Sequence, residues 1–147
     1  MDVNAVESAS FPAPVKQAAG LVNGIRTDVS SISFADKIMI TISQGGRLSQ
    51  WIQVPLSTAS PTAFDTALPA AGEDHLPVGH LTPKTLLGAG GEEREALGHL
   101  FATQTASSIS TRDPGENRSI LVGLGLLKAD MGREAFFDMM DLLHRVI

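Results

Sequence analysis

From Ala18 onward the chain runs in short stretches of alternating apolar and polar residues separated by turn-forming residues, the pattern of β-strands. Residues 18–22 and 25–33 flank Asn23-Gly24, a pair whose tolerance of positive φ favours the two-residue hairpin turn. Past a second turn at Ala35-Asp36, residues 37–43 are rich in β-branched side chains and place Ile38, Ile40 and Ile42 on one face. Gln44-Gly45-Gly46 supplies the next turn. Residues 48–54 then alternate Leu48, Ile52 and Val54 against Ser49, Trp51 and Gln53, with Gln50 as the one polar break on the apolar face. Four successive strands of this kind predict an antiparallel meander.

The period then disappears. Residues 57–81 hold Pro61, Pro69 and Pro77 among small and polar residues and predict a long loop, while residues 1–15, with Pro12 and Pro14, predict a flexible N-terminal arm. The remaining span, 16–147, is expected to form a single domain.

Pattern returns at Thr82-Pro83-Lys84-Thr85-Leu86-Leu87, read as a short strand, followed by the glycine-rich connector Gly88-Ala89-Gly90-Gly91. A helix is predicted from Glu92. Glu92, Glu93 and Glu95 suit the partial positive charge of its first turn, Leu97, Leu100 and Phe101 form its apolar stripe, and Asp113-Pro114-Gly115 ends it. Residues 117–127 form the next strand, with Ile120, Val122, Leu124 and Leu126 on one face and Leu121, Gly123, Gly125 and Leu127 on the other. Both faces read as buried, and the glycines are expected to let a helix approach closely, so that Gly123→Val would block its seating and cost soluble protein. Asp130 is read as the cap of a last helix with Phe136, Met139, Met140, Leu143 and Ile147 on one side. The whole predicts an α+β fold, an antiparallel sheet of about six strands packed with two α-helices.

Composition narrows the function classes. No apolar run approaches the roughly 20 residues of a membrane-spanning helix, and Met1-Asp2-Val3-Asn4-Ala5-Val6-Glu7 lacks the basic start and apolar stretch of a signal peptide. A cytoplasmic protein is therefore expected, with the nucleus also open to it. The absence of cysteine excludes disulfides, thiolate metal sites and a cysteine nucleophile. The net charge is −5 and the 11 Lys and Arg are scattered, which is not the footprint of a nucleic-acid binder.

Candidate chemistry is sparse. The glycines at 88–91 precede a helix and could present backbone N–H groups to phosphate, but Glu92-Glu93 stand where a phosphate loop places Gly-Lys-Ser/Thr. Gly123-Leu124-Gly125 lies inside a strand and lacks the third glycine of a dinucleotide fingerprint. His75, His80, His99 and His144 match no metal-ligand spacing, no Gly-x-Ser-x-Gly is present, and Asn117-Arg118-Ser119 is a glycosylation pattern without a secretory context. Hence no catalytic residue, cofactor or metal is expected. Trp51, the only tryptophan, lies on the more polar face of its strand, which suits a partner contact; packing beneath the C-terminal helix is the favoured alternative. Gly88, Gly90 and Gly91 join it as candidate partner-binding positions on grounds of mobility.

The sequence also resembles the proteasome assembly chaperone 3 family. The resemblance runs through Thr82-Pro83-Lys84-Thr85-Leu86-Leu87-Gly88, His99-Leu100-Phe101-Ala102, Gly115-Glu116-Asn117-Arg118-Ser119-Ile120-Leu121-Val122 and residues 133–147, and extends to Ile38-Met39-Ile40-Thr41-Ile42-Ser43-Gln44-Gly45-Gly46. It implies a chaperone without catalytic activity. Such a protein pairs with a second small chaperone similar to proteasome assembly chaperone 4, or with itself, and binds α subunits of the 20S proteasome, notably α5, to promote α-ring formation. Two other readings remain at this stage: a small nucleotide- or phosphate-binding enzyme using the glycines at 88–91 and His99, and an unrelated interaction scaffold.

Overall fold

A computed structural model describes residues 12–56, 81–88 and 90–147; residues 1–11 of the predicted arm and 57–80 of the predicted loop lie outside the described residues. The Asn23-Gly24 turn forms as its residues dictate, with φ of 54° and 74°, and sets Val22 opposite Ile25 in a hairpin of β1 (Val15–Val22) and β2 (Ile25–Ser33). Strand β3 (Lys37–Gln44) continues the meander antiparallel to β2. The rest of the chain supplies β4 (Gln50–Pro55), β5 (Lys84–Leu87), α1 (Glu92–Arg112), β6 (Ser119–Gly125) and α2 (Arg133–His144). The α+β class holds, with two helices and six strands among the described residues.

The meander stops at its third strand. The sheet order is β1-β2-β3-β6-β4-β5, so β6 lies between β3 and β4, parallel to the first and antiparallel to the second. Tight turning at Gly45 and Gly46, with φ of 67° and 71°, leaves only an isolated bridge from Gln44 to Arg47. The chain then crosses the end of β6, where a Cβ on Gly125 would lie 1.5 Å from the Arg47 carbonyl oxygen. Ser49 N–H donates to the Leu124 carbonyl at 2.7 Å, and β4 starts on the far side. Gly125 is thus the position that lets β4 pass β6.

Central placement explains the composition of β6. Val122 is opposite Ile40 on one side and Ile52 on the other, Ile120 is opposite Ile38 and Val54, and Ile40, Ile52, Val54, Ile120, Val122 and Leu124 are fully buried. Of the buried polar side chains on this face, the two glutamines are both hydrogen-bonded. Gln50 Nε2 donates to the Arg94 carbonyl at 3.1 Å, and Gln44 donates to Thr27 Oγ1 at 3.0 Å while accepting from Leu127 N–H at 3.1 Å.

Both helices cover this one face, α1 over β4 and β6 and α2 over β1 and the edge of β2. Close approach comes from glycines other than those expected. A Cβ on Gly98 of α1 would sit 2.6 Å from Ile52 Cδ1, and one on Gly20 of β1 would sit 3.0 Å from Leu142 of α2. The buried stripe of α1 is accordingly Gly98, Phe101, Ala102, Thr105, Ala106 and Ile109, and Leu100, expected in it, is 44% exposed. The helices run side by side in one direction: Phe101, midway along α1, stacks on Phe136 near the start of α2 at 5.2 Å, and Ser108, further along α1, meets His144 at the end of α2 at 3.3 Å. Helix α2 begins after Gly132 rather than at a cap formed by Asp130. Beyond it Val146 and Ile147 are buried, with the Arg112 guanidinium donating to the Ile147 carbonyl.

This phase of α1 is directly testable. Phe101→Ala should lower unfolding free energy by about 3–5 kcal/mol in urea titrations, whereas Leu100→Ala should cost under about 1 kcal/mol. Equal losses at the two positions would contradict the observed helix orientation.

Candidate protein-binding surface

With both helices on one side, no helix among the described residues covers the opposite face of the sheet. Side chains on that face alternate with those of the core, and several are apolar. Ile32 of β2 is opposite Met39 of β3, and Met39 is opposite Leu121 of β6, so three half-buried side chains cross the middle of the sheet. Trp51 of β4 joins them beside Leu121, through its pairing with Gly123.

Trp51 is placed by a glycine. A Cβ on Gly123 would lie 2.9 Å from both Cη2 and Cζ3 of the indole, so the ring lies across β6 in the space a side chain there would occupy. This corrects both readings of the region. Trp51 is half-buried on the bare face and does not pack beneath the C-terminal helix, and Gly123 accommodates that ring rather than a helix. Toward β1 the same face turns polar: the hydroxyls of Ser30 and Thr41 are hydrogen-bonded, Arg26 pairs with Asp28 at 3.3 Å, and Gln17, Ala19 and Ser43 complete a shallow depression of about 490 Å³. The bare face therefore has an aromatic-apolar half and a hydrogen-bonding half, the division found between the core and rim of protein interfaces.

The candidate glycines lie at the end of β5, where Leu87 is paired with Trp51. Gly88 has φ 83°, and a Cβ there would strike the Ser49 carbonyl oxygen at 1.8 Å. Gly91, at φ 92°, is the N-cap of α1. Gly90 abuts the Arg94 side chain, whose guanidinium donates to the Leu126 and Leu127 carbonyls at 2.7 and 3.2 Å. Gly88 and Gly91 thus have a conformational reason for glycine, and the cleft that Gly88 and Gly90 border, about 350 Å³, also takes in Arg47, Ser49 and Gly125.

The placement of His99 does not match a nucleophile relay. His99 Nε2 lies 2.7 Å from Thr85 Oγ1, yet Glu95 Oε1 approaches that same nitrogen, at 3.9 Å, instead of the Nδ1 that an orienting carboxylate would hold. His75 and His80 lie outside the described residues. Among the described residues no three His, Asp or Glu side chains are grouped to hold a metal.

One charged contact shapes the loop between α1 and β6. Arg118 donates through Nε to Glu116 Oε1 at 2.8 Å and through a terminal nitrogen to Oε2 at 2.7 Å, and its other terminal nitrogen reaches the Phe34 carbonyl at 2.9 Å. The Glu116 side chain is 11% exposed, and the hydrogen bonds from Arg118 pull its carboxyl down to about 2 against some opposition from burial. This clasp ties the start of β6 to the turn before β3.

No family model matches the sequence, and no curated protein matches it either. Among solved structures the chain is similar to one in the crystal structure of a novel chaperone complex for yeast 20S proteasome assembly, with a TM-score of 0.53 and 11% identity over 90% of this chain and 95% of that chain. At that identity the likeness is one of fold.

Two measurements check the geometry. Gly123→Val should push the indole off β6, shifting the emission of the sole tryptophan to longer wavelength and costing about 1–3 kcal/mol, with helix content retained; unchanged emission would contradict the contact. Glu116 is held below its ordinary 4.5, so its contribution is full above that pH and is lost as pH falls toward about 2. Glu116→Gln should therefore cost about 1–3 kcal/mol at pH 7 and progressively less below about pH 4.5 in urea titrations, and a pH-independent difference would contradict the clasp.

Proposed function

We propose that this protein is a non-catalytic chaperone of 20S proteasome assembly. On this reading it pairs through the bare sheet face with a second small chaperone, one like proteasome assembly chaperone 4, or with a copy of itself. Trp51 is the central contact, and the surface continues along β5 to Gly88, Gly90 and Gly91. The pair binds α subunits, notably α5, and promotes closure of the α ring in the cytoplasm, with the nucleus as a further site of action.

The observation that carries the proposal is a sheet face that no helix among the described residues covers, on which half-buried Trp51, Met39, Leu121 and Ile32 stand together. An isolated two-layer protein gains by covering such a face, and a flat aromatic ring held across a glycine is already ordered before a partner arrives. The fold it shares, over nearly its whole length, with a chain from a yeast proteasome-assembly chaperone complex supports the choice of partner class. The sequence resemblance through residues 82–88, 115–122 and 133–147 supports the same choice. A phosphate-binding enzyme gains no support from the site, since acidic Glu92, Glu93 and Glu95 crowd the only glycine-rich helix start among the described residues.

Epitope-tagged protein should co-purify 20S α subunits and a second small chaperone, identified by mass spectrometry. Trp51→Glu should remove the second chaperone while the protein stays folded with its helix content retained, because a charge at the centre of an apolar contact is left unpaired. Recovery of neither partner class with the unaltered protein would sink the proposal.

A further inference from the structure

The helix layer carries a second apolar surface, on the other side of the molecule from Trp51. Glu93, Ala96, Leu97 and Leu100 recur at three- and four-residue spacing and so share one flank of α1. With Ala129, Asp130 and Met131, just ahead of α2, they line an open groove of about 620 Å³. Leu97 and Met131 pack against the core, so the groove floor is continuous with it, while Leu100 stays 44% exposed at the lip. The apolar character extends toward α2: Phe137, 53% exposed, meets Phe136 edge-on at 5.9 Å, and Phe136 stacks on Phe101. The buried stripe of α1 is already complete without Leu100, so folding leaves this leucine over.

Charge defines what fits. Glu93 and Asp130 line the groove, and neither belongs to an ion pair among the described residues. Arg94, next to Glu93 in sequence, directs its guanidinium to the Leu126 and Leu127 carbonyls and is not paired with either acid. Glu92, Glu134 and Asp138 add negative charge along the same two helices, and the cation at the start of α2, Arg133, is held over the Phe137 ring at 5.6 Å. A second copy of this chain, at net charge −5 and with equally acidic helices, is poorly matched to such a rim. An added β-strand has no backbone edge to pair with on a helix flank.

We propose that this groove docks a basic amphipathic helix of a partner protein, its apolar side chains between Leu97, Leu100 and Met131 and its Lys or Arg side chains toward Glu93 and Asp130. This mode of recognition, helix in groove, needs apolar anchors one turn apart and a complementary charged rim, and both are present. The inference rests on the helix layer alone and stands whether or not the sheet face meets a chaperone.

The probe is a fluorescein-labelled Leu/Lys peptide of about 14 residues, four helical turns, patterned as an amphipathic helix. Its controls are a Leu/Glu peptide of the same pattern and a Leu/Lys peptide of scrambled order. In anisotropy titrations the patterned Leu/Lys peptide should bind, and the doubly substituted Glu93→Lys, Asp130→Lys protein should bind it about tenfold more weakly. Leu100→Ser should weaken it about fivefold. Trp51→Ala, on the other layer, should leave it unchanged. Amide shifts of the unaltered ¹⁵N-labelled protein should move at residues 93–100 and 129–131. The proposal fails if either control peptide binds equally well, if the substituted proteins melt normally yet bind as before, or if the shifts fall elsewhere.

Discussion

Strand β6 has to satisfy two neighbours of opposite direction and two faces of opposite kind, and the rest of the molecule follows from how it does so. Its partners β3 and β4 are consecutive in the chain and both far from β6 in sequence, and its insertion between them places Val122 between Ile40 and Ile52, all three fully buried. Toward the helices β6 carries Ile120, Val122 and Leu124, and burying such side chains contributes on the order of 1.5–3 kcal/mol each. Away from the helices it carries Gly123 and Gly125. One makes room for the Trp51 ring and the other for the backbone at Arg47. A β6 with side chains at both positions would lose the crossing of β4, and with it the place of Trp51.

The asymmetry makes the molecule two-sided. Among the described residues all helix packing is on one sheet face, through Gly98 against Ile52 and Gly20 against Leu142, and no described helix covers the other. The features that order the bare face are intrinsic: Trp51 rests on Gly123, and the Ser30 and Thr41 hydroxyls are paired. A partner meeting this face encounters a preorganised surface, which lowers the entropy lost on binding.

Element identity was legible because it depends on local chemistry. Asn23-Gly24 forces a hairpin, Ile38, Ile40 and Ile42 share a strand face, and Glu92 and Asp113 bracket a helix, all of which the structure shows. Strand partners were not legible, since alternation tells which residues share a face and is silent on which strand lies beside them. Gly123 and Gly125 did signal close approach, but an indole or a crossing backbone asks for the same absence of a side chain as a helix does. The rotation of α1 was misread for a related reason. Leu100 looks like core by size, yet the sheet can be approached most closely along the flank with Gly98 and Ala102, and that gain outweighs burial of one leucine. Trp51 was visible as an unusual residue on a polar strand face, and the support beneath its ring was not.

Because Trp51 is the only tryptophan, its exposure can be followed in the assembled state without labels. Acrylamide quenching of its fluorescence, measured for the protein alone and for its complex with the proposed partner, asks whether the bare face is the contact. A quenching constant that falls severalfold on complex formation is the predicted result; an unchanged constant in a saturated complex would place the interface elsewhere and contradict the account.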